Sequence, residues 1–309
     1  PVVAAHGLWI PKTSSRAITS AAGTADAMEC IAEVDLAPEA LHDVVEAAGG
    51  CIAWNGRLSH SPVDDVMNSI TRPLGIDSTK LAVTSILSKK MAAGSSHVVV
   101  DIPYGPGTKV AQLTEAEELA ALFEAVGAGV GLTVVAVPTD ASQPIGRGIG
   151  PALEVRDVWS VLRNDPDAPS DLREKALDFA GIILGWDPLV DDGRRRARAL
   201  LESGAALERM ERIVDLQGRK PKPVGPGSLA YDVLATRSGR VTGIDCYRVA
   251  SIARRAGAPM DKGAGIDFLA AVGADIKAGE PLYQIVGNVE ADLRRALSAA
   301  DEQSGIEIE

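Results

Sequence analysis

The chain has 309 residues, 46% of them hydrophobic and 24% charged, with a formal net charge of −11 at pH 7. That length buries a sizeable core and suits more than one domain, and the acidic balance argues against nucleic acid as a partner for the surface as a whole. No apolar run has the length of a membrane span, three dispersed cysteines (Cys30, Cys51, Cys246) point to a reducing cytoplasm and not to a disulfide framework, and four histidines without ligand spacing give no metal site.

Pro1–Ile10 is apolar and reads as a core strand or short helix, beginning as if inside a structured element and without an initiator methionine, so a fragment or processed chain is expected. Helical spacing (Leu41, Val44, Val45, Ala48) runs from Pro38 to Ala48 and stops at Gly49-Gly50. Cys51–Trp54 is a short strand, Ser61-Pro62-Val63-Asp64 opens a helix, and Ser78 or Thr79 starts another that reaches Ala93. His97–Ile102 and Leu132–Val137 read as strands. Between them Thr114-Glu115-Ala116-Glu117 has the form of a capping box that opens a helix. Pro151–Leu162 is a helix, and Asp192–Gln217 is strongly helical and charged. Strand and helix alternate in the manner of a mixed, mostly parallel α/β sheet with flanking helices. The Gly/Pro/Lys-rich residues 218–227 form a linker, and 228–309 a small C-terminal α+β domain, leaving 1–217 as the main α/β domain.

The run Pro11–Glu29 carries the strongest chemical signal. Thr13, Ser14, Ser15, Thr19 and Ser20 surround Arg16, and Ala21-Ala22-Gly23-Thr24 leads into a helix opening. Hydroxyls, turn amides, a helix N-terminus and a cation together make a cradle for phosphate; the same residues also suit plain Ser/Thr turns with Thr24 as an N-cap. In the helix Lys80–Lys90, Ser85 and Lys89 stand four apart and so share a face, although Lys89-Lys90 near a helix end also complements the macrodipole. Asp77 suits an Asx turn or helix cap. Lys109 lies in the loop after a strand, where α/β sheets bind ligands. The glycines of 127–131 and 146–150 lack the strand–Gly-x-Gly-x-x-Gly–helix order of a dinucleotide site and read as turn glycines, and Arg194-Arg195-Arg196 reads as a solvated face.

Ser-Ser-Arg-Ala-Ile-Thr-Ser (residues 14–20) followed by Ala-Gly-Thr-Ala-Asp, Ser-Ile-Leu-Ser-Lys-Lys (85–90) and the 139–155 segment resemble the thymidine (pyrimidine-nucleoside) phosphorylase family, in its type 2 thymidine phosphorylase and AMP phosphorylase branch. The resemblance implies reversible phosphorolysis of an N-glycosidic bond, with inorganic phosphate as co-substrate and no further cofactor. It assigns phosphate and substrate binding to Ser14, Ser15, Arg16, Ala17, Ile18, Thr19, Ser20, Thr24 and Lys109, base recognition to Arg72, Ser85 and Lys89, and protonation of the leaving base to Asp77. Residues 71–93 would belong to a helical base-binding lobe that closes on the sheet domain, in a cytoplasmic homodimer acting in nucleoside salvage. The family's main phosphate loop, Lys-x-Ser-x-Gly-Gly, does not occur in residues 1–309, nor does most of the dimerising helical domain, so this chain by itself is expected to be nearly inactive. Thymidine is the working substrate and AMP the alternative. A carrier or binding module is a rival of another class, because Gly273–Ile285 echoes half of a lipoyl or biotinyl motif and Lys262 precedes it.

Overall fold

The computed structural model describes residues 1–17, 20–56 and 79–309. These fall into two compact units, Pro1–Trp54 with Ser142–Glu309, and Asn55–Ala141.

The first unit opens with α1 (Val2–His6), the helical form of the two expected for the opening apolar run, and β1 (Ile10–Ser14). After α2 (Thr24–Met28) comes α3 (Pro38–Ala48), which starts on a proline and ends at Gly49 with φ 74°. Its spaced apolar residues Val44, Val45 and Ala48 are buried. β2 (Gly50–Trp54) then lies parallel to β1, with Ser14 opposite Trp54. The side chain of Gln217, 3% exposed, fixes this edge. Its Nε2 donates to the carbonyls of Glu33 and Ile52, each at 2.8 Å, while its Oε1 accepts from the Ile52 amide at 2.8 Å.

The second unit holds α4 (Thr79–Ala92), β3 (His97–Tyr104), α5 (Leu113–Gly129) and β4 (Thr133–Asp140). β3 and β4 pair in parallel across the connecting helix, from His97 opposite Thr133 to Tyr104 opposite Asp140. Val83, Leu87, Val98, Val100, Ile102 and Phe123 pack into a core of its own, each large side chain contributing about 1.5–3 kcal/mol by burial. α5 begins one residue before the expected Thr114 cap. Gln112 is the N-cap, and Glu115, not Glu117, reaches back to the Ala111 amide at 3.2 Å.

The first unit resumes with β5 (Gly148–Ile149) and four helices, α6 (Pro151–Leu162), α7 (Ser170–Leu184), α8 (Gly193–Glu202) and α9 (Ala205–Leu216). The single charged helix expected over Asp192–Gln217 is thus two, broken at Ser203–Gly204. Arg194 is exposed and pairs with Glu174 and Asp178 of α7. β6 (Leu229–Leu234), β7 (Gly239–Ile244), α10 (Cys246–Arg255), β8 (Gly265–Phe268), β9 (Asp275–Ile276), β10 (Pro281–Gly287), α11 (Glu290–Glu302) and β11 (Ile306–Ile308) complete it. Among the described residues the sheets here are antiparallel, in the orders β5-β8-β10-β6 and β11-β7-β9. The parallel strands occur as the two pairs already named. The architecture is α/β with a small α+β C-terminal part.

Residues 218–227 run along the first unit, their backbone donating from Lys220 to Ile31, from Val224 to Cys30 and from Gly227 to Gly263. β5 also joins the C-terminal sheet, Gly148 lying opposite Asp267. The first unit nevertheless holds two hydrophobic clusters, one from residues 2–214 and one dominated by residues 233–308. No described helix is long and apolar enough to cross a membrane.

Replacing Gln217 by Leu removes the bonds of one part-buried amide and two part-buried carbonyls. At about 0.5–1.5 kcal/mol net for each lost bond, Gln217→Leu is expected to lower the urea midpoint by an amount equivalent to at least about 1.5 kcal/mol. An unchanged midpoint would show that the bonds at this edge contribute nothing net.

Candidate active site

The hydroxyl-rich run leaves β1 at Ser14 and turns into α2. Ser15, Ser20 and Thr24 are exposed and Ser14, Arg16 and Ala17 half-buried. Two hydroxyls are engaged locally, Ser14 Oγ with the Ser15 carbonyl at 3.2 Å and Ser20 Oγ with the Ala22 carbonyl at 2.9 Å. The N-cap of α2 is Gly23, and Thr24 is the first helical residue. Glycine is required by close approach: a Cβ there would lie 2.8 Å from the Ser15 carbonyl oxygen and 2.9 Å from the Ala17 nitrogen. Ile18 and Thr19 lie outside the described residues.

A carboxylate that the sequence reading passed over occupies the centre of this turn. Asp26 is 2% exposed. Its Oδ2 accepts from the amides of Ala17 (2.7 Å) and Gly23 (3.1 Å), and its Oδ1 from Lys262 Nζ (2.7 Å). Lys262 Nζ also meets Glu29 Oε2 at 2.9 Å. Glu29 in turn receives both Nη atoms of Arg16, at 2.5 and 2.6 Å, and the guanidinium lies 5.0 Å from the centre of the Trp54 ring. Burial by itself pushes the Glu29 carboxyl up, but hydrogen bonds and charge from Arg16 and Lys262 outweigh it and hold the pKa at about 2. Asp26 follows the same pattern: burial raises it, while Lys262 and the Ala17 and Gly23 amides bring it below its ordinary value. Two of the turn's amides are therefore already filled by an internal anion. Arg16 is committed to Glu29, with which an incoming phosphate would compete.

Lys262 corrects the carrier reading. It sits between α10 and β8, not at the tip of a hairpin, and its side chain is 19% exposed and doubly ion-paired. β9 and β10, which the Gly273–Ile285 phrase covers, belong to different sheets. A prosthetic-group lysine needs an accessible amine between matching strands, and this residue has neither.

The 139–155 segment is held just as closely. Asp157, 2% exposed, accepts from the amides of Arg147 and Gly148, each at 2.7 Å, and from Arg156 Nη2 at 2.9 Å. Arg156 also forks onto Asp267 of β8. Gly150 caps α6 with φ 130°, and a Cβ there would lie 2.3 Å from the Ala264 carbonyl oxygen. The expected turn role of this glycine is what the backbone uses. Glu154, in the first turn of α6, accepts from the Gly150 amide at 3.2 Å. Burial raises its pKa, the Gly150 bond offsets part, and the charges of Asp157 and Asp26 add to it, leaving it at about 7.

In the second unit Lys89 Nζ donates to Ser85 Oγ at 3.4 Å, so the expected pair does share one face of α4, both side chains half-buried. Lys109 is exposed in a loop closed by the Gly105 amide on the Val110 carbonyl (3.0 Å) and by Thr108 Oγ1 on the Gly105 carbonyl (2.9 Å). Arg72 and Asp77 lie outside the described residues. Burial pushes the Cys30 and Cys51 thiols up to about 11, which leaves them as core residues and not nucleophiles.

Glu154 and Glu29 predict opposite responses to pH in separate windows. The folded pKa of Glu154 lies above the ordinary 4.5, so its contribution to stability is complete below 4.5 and is lost as pH rises towards 7. For Glu29, depressed from 4.5 to about 2, the contribution is present above 4.5 and is lost as pH falls. In melting curves across pH, Glu154→Gln is expected to remove the loss between 4.5 and 7 and to keep the acid limb. A mutant that tracks the unsubstituted protein throughout would contradict this.

Comparison with known proteins identifies the chain. The glycosyl transferase family a/b domain matches residues 1–207, and the pyrimidine nucleoside phosphorylase C-terminal domain matches residues 240–307. A bifunctional ribose 1,5-bisphosphokinase-thymidine phosphorylase from Azorhizobium caulinodans is 63% identical over 97% of this chain and 44% of its own length. The protein of the same name from Cupriavidus necator is 59% identical over 97% of this chain and 50% of its own. A putative thymidine phosphorylase from Rhodopseudomonas palustris is 53% identical over the whole of this chain and 60% of its own. The chain thus spans about half the length of these relatives. It belongs to the pyrimidine nucleoside phosphorylase family.

Proposed function

We propose that the protein carrying this chain is a pentosyltransferase that catalyses reversible phosphorolysis of a nucleoside, thymidine plus phosphate giving thymine and 2-deoxyribose 1-phosphate. The observation that carries the reading is the pair of family matches, over residues 1–207 and 240–307, together with relatives named thymidine phosphorylase. In this reaction phosphate attacks the anomeric carbon while the base departs with the bonding electrons, so no covalent intermediate on the protein is needed. The chain's task is to hold two reactants in line, and well-aligned reactants remove about 7 kcal/mol or more of the barrier.

The roles are those that the family resemblance implies. Hydroxyls and amides from Ser14 to Ser20, with Thr24, hold phosphate. Ser85 and Lys89, which share one face, meet adjacent acceptors on the planar base, and the resemblance adds Arg72 to base recognition. Asp77 protonates the leaving base and Lys109 contacts the substrate. Inorganic phosphate is the co-substrate, with no other cofactor, and the enzyme works as a cytoplasmic homodimer.

A second reading is favoured by one feature of the relatives. The proteins from Azorhizobium and Cupriavidus carry in their names a kinase for ribose 1,5-bisphosphate. Phosphorolysis of thymidine does not yield that sugar; phosphorolysis of a ribonucleoside 5′-monophosphate such as AMP does. In that case Arg16 or Lys109 supplies the cation for the 5′-phosphate.

Assays of the full-length protein with thymidine and with AMP separate the readings by the sugar phosphate released, which carries one phosphate or two. Lys89→Ala is expected to raise KM and lower kcat/KM to an extent that depends on the base. Asp77→Asn is expected to lower kcat by roughly 10²–10⁴-fold with little change in KM. Asparagine caps a helix as well as aspartate does, so a nearly unaltered kcat would assign Asp77 to capping. No phosphorolysis of either substrate would overturn the proposal.

A further inference from the structure

We infer that the C-terminal region positions the hydroxyl-rich substrate loop, with Lys262 and Arg254 as its positioning residues. This rests on the phosphorolysis reading of that loop and deepens it. Three contacts of different kinds carry it. The first is ionic: Lys262 Nζ spans Asp26 Oδ1 and Glu29 Oε2 at 2.7 and 2.9 Å. The second is polar, Arg254 Nη1 donating to the Ser20 carbonyl at 3.1 Å. The third is apolar, for Ala21, 2% exposed, belongs to the hydrophobic cluster built by Val233, Ile252, Ala256, Leu282 and Leu293.

These contacts act on the loop through a defined chain of groups. Asp26 divides its two oxygens. One takes the ammonium of Lys262, and the other takes the amides of Ala17 and Gly23 on either side of the turn. Lys262 is itself fixed on the main chain, its carbonyl accepting from the Ala152 amide at the start of α6. The lysine therefore ties α6 to α2, and Asp26 passes that constraint to both ends of the loop. Without the ammonium, a nearly fully buried carboxylate loses its closest cation, leaving Arg16 Nη1 at 3.9 Å, and such a group is held poorly in place. Lys262 meets two anionic carboxylates from a mostly buried position, whereas Arg254 meets a neutral carbonyl in an exposed one, so Lys262 outranks Arg254. The C-terminal region contributes positioning to the loop, not chemistry.

The test uses the full-length protein and two readouts. Hydrogen–deuterium exchange follows peptides that contain Ala17 and Gly23, and steady-state phosphorolysis gives KM for phosphate and kcat. Lys262→Met keeps the stem and removes the charge; it is expected to speed exchange in these peptides by about tenfold or more and to raise KM for phosphate by about tenfold or more, with a smaller change in kcat. Lys262→Arg is expected to restore both to within about threefold. Arg254→Ala is expected to act in the same direction by about two- to fivefold. Peptides from β10 should exchange as in the unsubstituted protein, which separates loop release from general loosening. Native exchange in Lys262→Met, or faster exchange with native KM, overturns the inference. Should Lys262→Met fail to fold, Arg254→Ala decides on the same criteria. An unsubstituted protein without phosphorolysis would overturn the functional reading instead, while the exchange measurements would still decide whether Lys262 holds the loop.

Discussion

A carboxylate almost without access to water organises the turn between β1 and α2. Burying Asp26 is costly unless its charge and lone pairs are met, and three groups meet them: two loop amides and an ammonium from the other end of the chain. Each partner is constrained in return. The turn after β1 must bring Ala17 within reach, Gly23 must lack a Cβ, and the C-terminal part must place Lys262 beside Asp26. Arg16 and Glu29 close the same network on its outer side, with the guanidinium over Trp54. The parallel pairing of β1 and β2, which sets Ser14 opposite Trp54, is what makes that stacking possible.

A second buried carboxylate, Asp157, repeats the arrangement much further along the chain. Asp157 gathers the amides of Arg147 and Gly148 as Asp26 gathers those of Ala17 and Gly23, and Arg156 links it to Asp267 on β8. In both places an acidic side chain from a helix folds a glycine-bearing turn around itself, and a basic residue connects the turn to the C-terminal part. Glu154, whose proton affinity is raised first by burial, also feels the charges of Asp157 and Asp26, which raise it further. The C-terminal part is thereby joined to the helical layer by charge and by the β5–β8 ladder, although its apolar core is largely separate.

What could be read from the sequence was what local rules decide. Pro38 and Gly49 bracket α3 because proline starts helices and glycine ends them, and Ser85 and Lys89 meet because residues four apart share a helical face. The α/β class followed from alternating periods. Local rules misplaced the cap of α5 by two residues and missed the break at Gly204, since neighbouring positions offered equally good chemistry. They passed over Asp26, which looked like an ordinary acid in a first helical turn, because its lysine partner lies 236 residues away. No spacing pattern reports a contact of that separation. Lys262 was misread for the same reason: beside a half-familiar motif it looked like an attachment point, and its partners are contributed by α2 and the residue after it. Arg72 and Asp77 fall outside the described residues, so the base-binding assignments rest on family resemblance.

The three bonds made by Gln217 also set how this chain ages. The side-chain amide works here because one end accepts and the other donates twice, an inventory shared only with asparagine, which is a methylene too short. Spontaneous deamidation to glutamate would exchange the donor end for a carboxylate oxygen facing the carbonyls of Glu33 and Ile52. A change of one atom's identity and under one dalton in mass would turn two attractions into two repulsions at the edge of β2. Burial, which keeps hydrolytic water away, is therefore both what makes the lesion damaging and what protects the molecule from it.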